Sequence, residues 1–171
     1  MSFPAPRRLP WLLLLSLVVF VVDRLTKVWV SAHVRLGGAI PIIPQVLRIT
    51  HWTNDGAAFS LFADSASPHA VRWALVTFTL LAALAMLLGL VRLGSRFTLT
   101  TVALALIFAG ALGNVHDRIV YGSVVDFIEV HIFSYHWPDF NVADSAVVTG
   151  ACMLLLDSLR SREHRELIAE K

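Results

Sequence analysis

Four stretches of the chain are apolar for about the length a bilayer demands, and the polar residues collect between them. A hydrocarbon core takes about 20 helical residues. Runs of that kind occupy residues about 9–29, 70–91, 97–116 and 141–159. Pro10 falls in the first turn of the first run, where proline's missing N–H costs nothing, and the other runs contain no proline. The pattern predicts an all-α membrane protein with four transmembrane helices. With 171 residues, the expectation is a single four-span domain over 1–171.

The pattern changes between the runs. Residues about 32–69 carry Gly37, Gly38, Pro41 and Pro44, then alternate from Val46 to Thr53. Alternation with Ile and Thr predicts a short strand, so this loop is expected to contain β structure. Asn54-Asp55-Gly56 signals a turn. Ala57 to Ala63 is small and apolar and predicts a short interfacial helix, which would act as a lid. A connection this long is unusual without a function. Residues about 117–140 read as a second loop, through Tyr121-Gly122 and Val124-Val125-Asp126-Phe127 to His136-Trp137-Pro138-Asp139. Asn141 then opens the fourth run at a capping position, and Asp144 sits about one turn inside.

Charge gives the direction. Only 15% of residues are charged while 57% are hydrophobic, against roughly a quarter charged in soluble domains. Disorder is excluded by the apolar content. Arg7 and Arg8 precede the first run, Arg92 and Arg96 bracket the second junction, and Arg160, Arg162, Arg165 and Lys171 follow the fourth. Basic residues mark the cytoplasmic side, so both termini are expected in the cytoplasm and both long loops outside. Trp11, Trp29, Trp73 and Trp137 sit near run ends, as interface-seeking aromatics do. The net charge of +2 gives no reason to expect nucleic acid. The first run starts like a signal peptide, yet Asp23, Arg24 and Lys27 interrupt its far end without a small-residue cleavage site, so a retained span is expected. The single cysteine, Cys152, lies in an apolar run and reads as packing.

The candidate chemistry lies at the outer margin. A carboxylate near hydrocarbon is expensive, so an acid there marks a functional site by default. Asp126 and Asp144 are two such acids, 18 positions apart. Taken singly, Asp126 is a solvated loop acid and Asp144 a first-turn acid favoured by the helix dipole. Taken with Asn54, Asn114, Arg118 and Asn141 at the same depth, they point to groups that satisfy one another around a wet site. Neighbouring carboxyls split their pKa values and share a proton, which is the requirement for acid–base work.

Arg118, four residues after Asn114, either snorkels to the interface or pins a carboxylate bidentately, and the second reading is preferred. Asp23 and Lys27 share a helix face and are either a local ion pair or a substrate-facing pair. Asp117 reads as a local partner of Arg118, while Asp64 and Asp139 read as solvated. His131 and His136 lie in one loop without clustered carboxylates, so no metal site is expected. Ser145 has no placed activator, and a Ser/Lys dyad through Lys27 is a weak rival.

Several segments together resemble a known family. They are Asp23-Arg24-Leu25-Thr26-Lys27, Asn54-Asp55-Gly56-Ala57-Ala58-Phe59-Ser60, and Gly110-Ala111-Leu112-Gly113-Asn114-Val115-His116-Asp117-Arg118. Val125-Asp126-Phe127 and Phe140-Asn141-Val142-Ala143-Asp144-Ser145 follow in order. In this order and spacing, on a four-span scaffold, the set resembles lipoprotein signal peptidase, or signal peptidase II. The resemblance spans nearly the whole chain. His116 stands where many members carry an apolar residue.

The resemblance implies an aspartyl endopeptidase of the bacterial cytoplasmic (inner) membrane with its active site at the outer, periplasmic face. Such an enzyme removes the signal peptide of diacylglyceryl-modified prolipoproteins, cutting before the lipidated cysteine. It implies Asp126 and Asp144 as the catalytic dyad, with Asn114, Arg118 and Asn141 supporting them and Asp23, Lys27 and Asn54 lining the substrate site. It implies an activated water and no cofactor, contact with membrane lipids, and inhibition by globomycin-type cyclic peptides. The competing classes are a transport or proton-relay subunit, since ionisable intramembrane groups also line pathways, and a structural protein with dispensable aspartates. One-sided clustering of the acids, with no evident inverted repeat, argues against transport.

Overall fold

The computed structural model describes residues 7–56, 67–133 and 135–169. Four helices alternate with two pairs of strands. The order is α1 (Leu9–His33), β1 (Ala39–Ile43), β2 (Leu47–Asn54), α2 (Pro68–Leu93), α3 (Leu99–Val120), β3 (Val124–Ile132), β4 (Tyr135–Phe140) and α4 (Val142–Ala169). All four helices are long and apolar enough to cross a membrane. Large apolar side chains such as Leu25, Leu81, Leu84 and Leu155 point away from the protein. Apolar surface on that scale requires a non-aqueous surround, and the chain is a multi-pass membrane protein.

The centre of the bundle is α3. Half of its apolar window is buried, against 17% in each of the other three helices, and it packs on α1, α2 and α4. Small residues make this possible. A Cβ on Gly110 would overlap the Ala143 carbonyl oxygen and lie 2.7 Å from Val147 Cγ2, so α3 and α4 meet backbone to backbone here. Water-free helix association depends on such close approach. Leu12, Leu90, Leu104 and Ala105 close the opposite end of the bundle.

An all-α description is incomplete. The expected strand at 46–53 is present as β2, but β1 precedes it, and the second outer stretch is a hairpin of β3 and β4. The four strands form one antiparallel sheet in the order β1-β2-β3-β4. The turn residues of 117–140 dominated the sequence reading, whereas the alternating Val and Ile of β3 carry the strand. Pro41 is tolerated because β1 is an edge strand.

Gly122, at φ +92°, turns the chain out of α3, and its N–H donates to the Asp117 carbonyl. Val30 of α1 and Val34, just past its end, pack against Phe127 of β3 and hold the sheet on the end of the bundle. The expected lid, 57–63, lies outside the described residues.

Candidate active site

Asp126 is carried by β3, opposite Trp52 of β2, and is buried. Asn141 Nδ2 donates to its Oδ1 at 2.7 Å, and Asn54 Nδ2 donates to its Oδ2 at 3.1 Å. Asn54 is fixed for this by its own turn, because its Oδ1 accepts from the Gly56 N–H at 3.0 Å. The turn signal in the sequence is thus the device that aims one amide at the acid.

Asp144 stands in the first turn of α4. Its backbone N–H donates to Asn141 Oδ1 at 2.9 Å, and its Oδ2 accepts the Asn141 backbone N–H at 3.2 Å. This is a reciprocal cap, with an acid where the dipole of α4 favours negative charge. Its Oδ1 accepts from Asn114 Nδ2 at 2.7 Å. Asn141 therefore binds both acids, one through its side chain and one through its backbone.

Both acids line a cavity of about 770 Å³ between α2, α3 and α4. Its walls are largely apolar, with Leu75 and Phe78 from α2, Ile107 from α3 and Val147 from α4. A second groove of about 380 Å³ shares Asn54, Asp126 and Asp139 with it. Burial, and then the negative charge of Asp144, push the Asp126 carboxyl up from 3.8 to about 7. A carboxyl raised in this way holds its proton to higher pH than an ordinary aspartate, which suits it to give one as well as take one.

The other sequence candidates fall into two groups. Asn54, Asn114 and Arg118 line the cavity, and Asn141 contacts both acids. Arg118 does not grip a carboxylate as expected. Its Nη2 donates to the Gly56 carbonyl at 2.8 Å and its Nε has no hydrogen-bond partner. The oxygens of both acids accept from Asn54, Asn114 and Asn141 instead.

Asp23 and Lys27 are an ion pair at 2.9 Å, almost wholly buried, and do not line the cavity among the described residues. Their effect on it is indirect. Lys27 Nζ donates to Asn114 Oδ1 at 3.1 Å, which orients the amide that faces Asp144. Asp23 Oδ1 accepts from the Ala143 N–H at 2.9 Å and so anchors the start of α4.

Two acids play parts the sequence did not reveal. Asp117 is not a partner of Arg118. It is fully buried, pairs with Lys27 at 2.9 Å and accepts a hydrogen bond from Arg24. The helix faces explain it, since α1 and α3 pack together and turn Arg24 and Lys27 toward Asp117. Asp139 is half-buried, lines both cavities and accepts from Thr50 Oγ1 at 2.7 Å, and burial raises its carboxyl above the usual range. No local signal marks Asp139, because its contact with Thr50 reaches across β3, which lies between β4 and β2 in the sheet.

Comparison with known proteins agrees in sequence and in fold. The family model described as signal peptidase (SPase) II matches residues 15–160. A lipoprotein signal peptidase of Pseudomonas aeruginosa (strain UCBPP-PA14) is 42% identical over 160 residues, 93% of each chain. One from Geobacter metallireducens is 38% identical over 154 residues, covering 89% of this chain and 92% of the relative. A bacterial membrane enzyme solved by the in meso method at 2.3 Å superimposes with a TM-score of 0.81, at 30% identity and 91% coverage of both chains. A second, at 1.9 Å, gives 0.76 at 31% identity, with 88% of this chain and 93% of the other covered.

Proposed function

The chain belongs to the signal peptidase II family, and from that premise we propose that Asp126 and Asp144 are the catalytic dyad that cleaves signal peptides from lipid-modified lipoprotein precursors. Membership makes the chain a peptidase of lipoprotein processing. The observation that carries the dyad is the cavity they share, with Asn141 tying one acid to the other.

In this reading one carboxylate takes a proton from a water, whose oxygen attacks the scissile carbonyl. The other carboxyl, protonated, donates a hydrogen bond to that carbonyl oxygen. The intermediate collapses as a proton passes to the leaving amine and the C–N bond breaks. The roles of base and acid are assigned to the pair and not to either aspartate singly. Asn54, Asn114 and Asn141 hold the carboxylates in place. The charge of Arg118, beside them in the cavity wall, offsets their repulsion.

The bond cut lies before a cysteine bearing a diacylglyceryl group. The apolar walls of the cavity suit a signal helix entering between α2 and α4, while the acyl chains stay in the outer leaflet and set the depth of the scissile bond. Globomycin-type cyclic peptides would compete for the same cavity. The whole chain acts as one four-span domain of the bacterial cytoplasmic membrane. Both termini are cytoplasmic and the site is at the periplasmic face.

The test is cleavage of a lipidated and an unlipidated precursor, followed by gel shift with purified enzyme in detergent. Asp126→Asn and Asp144→Asn are each expected to abolish processing in a folded, inserted protein, and the unlipidated precursor to be cut far more slowly. Near wild-type processing by either variant would sink the dyad.

A further inference from the structure

The outer sheet brings together three side chains that the chain order keeps apart from any metal motif. Glu129 and His131 are two residues apart on β3, so they project from one face of the sheet. His136 on β4 is the cross-strand partner of His131. Glu129 Oε1 lies 2.9 Å from His136 Nε2 and 3.3 Å from His131 Nε2. One ligand atom from each residue falls within 4.8 Å of the others. His131 Nε2 is buried and, apart from Glu129 Oε1 at 3.3 Å, has no hydrogen-bond partner.

We propose that Glu129, His131 and His136 form a binding site for one divalent ion of the zinc class on the outer face of the sheet. The donor set is two imidazoles and one carboxylate, which zinc accepts readily and which leaves a fourth position for water. The Glu129 oxygen lies 2.9 and 3.3 Å from the two imidazole nitrogens, and all three atoms fall within 4.8 Å of one another, close enough for one ion to reach them. Arg48 supplies the outer support by gripping both oxygens, with Nε donating to Glu129 Oε2 and Nη2 to Oε1 at 2.5 Å, and Oε1 also lies against both imidazoles. The bland alternative is a set of hydrogen bonds around Glu129, with Arg48 alone balancing its charge.

The position gives the ion a structural consequence. It would cross-link β3 and β4 three residues beyond Asp126 on the same strand. His136 also lines the smaller groove that reaches Asp126 and Asp139. The sequence predicts no metal here, because His131 and His136 lie in one loop without metal-site spacing or clustered carboxylate partners. Glu129 lies close by, but its approach to His136 exists only once β3 and β4 pair in this register.

The experiment uses the full chain in detergent, freed of metal, with zinc and cobalt as probes. Isothermal titration is expected to give one zinc per chain, and cobalt to give the intense visible bands of a four-coordinate site. Zinc should also raise the melting temperature, because it binds the folded sheet. His131→Gln, His136→Gln and Glu129→Gln should each weaken zinc binding more than about tenfold, the lower end of what losing even an outer-shell partner costs. His136 is largely exposed, so its glutamine variant is expected to fold normally by circular dichroism. His33→Gln, an exposed histidine on α1, should leave the zinc isotherm unchanged. The proposal is overturned if the wild type binds no zinc, if His131→Gln and His136→Gln bind it as the wild type does, or if His33→Gln removes it equally.

Discussion

Asn141 and Asp144 cap the start of α4 reciprocally, at 2.9 and 3.2 Å, and the same Asn141 reaches Asp126 at 2.7 Å. Helix termination and acid positioning are therefore one arrangement. The acid at the third helical position serves the dipole of α4, and the capping amide serves the other acid. A change at Asn141 acts on stability and on the site at once, but through different atoms.

Those two effects separate by substitution. Asn141→Ala loses the cap and the amide, and is expected to lower stability by about 1–2 kcal/mol and to reduce cleavage strongly. Asn141→Ser keeps an oxygen able to cap but has no amide to reach Asp126. It should retain most of the stability and still lose cleavage. Thermal unfolding in detergent and precursor gel shift, run on both variants, check the split.

Asp126 gives stability a pH dependence of known sign. Its folded carboxyl titrates at about 7 against 3.8 for the ordinary group, so between those values the folded state holds a proton the unfolded chain has released. Stability from this group is present below the lower value and is lost as pH rises toward the upper one. The melting temperature of the wild type should carry this downward contribution, and Asp126→Asn should remove it. Asp144→Asn should shrink it, because one of the charges raising the Asp126 value is gone. Melting curves across that pH range decide the matter, and an unchanged slope in Asp126→Asn would refute it.

Lys27 contacts Asp23 at 2.9 Å, Asp117 at 2.9 Å and Asn114 at 3.1 Å, with almost no exposure. Removing one partner from a buried ionic group is worse than removing the pair. Lys27→Met should cost about 3–5 kcal/mol, and Asp23→Asn together with Lys27→Met should cost less than Lys27→Met alone. Denaturation of the three proteins in one detergent measures it. Equal losses would mean that Asp23 is compensated by something other than Lys27.

Gly110 sets the distance between α3 and α4. A methyl group there meets the Ala143 backbone, next to Asp144, so Gly110→Ala should destabilise by about 1–3 kcal/mol or more and lower cleavage. Gly89→Ala is the control. Its Cβ would meet only the end of the Leu104 side chain, 3.0 Å away, which can turn aside. Melting temperature and cleavage should fall for the first and change little for the second.

Much of the outline was legible along the chain. Long apolar runs identify four membrane helices, since the bilayer imposes length and composition locally. The Asn54-Asp55-Gly56 turn and the Asn141 cap were readable for the same reason, because their hydrogen bonds close within three residues. The hairpin of β3 and β4 was missed where turn signals outweighed the Val and Ile alternation around Asp126.

The sequence by itself determined the membrane class, the family pattern and the acids worth watching, because those depend on residue type and short-range spacing. Tertiary structure decided which groups meet. Asp23 reaches the N–H of Ala143, 120 positions away, Arg118 turns to Gly56 instead of an acid, and Asp117 joins Arg24 and Lys27. Strand register likewise puts Glu129 beside two histidines and Asp139 beside Thr50. Such contacts follow from helix packing and strand pairing over the whole fold, so no local stretch of sequence contains them.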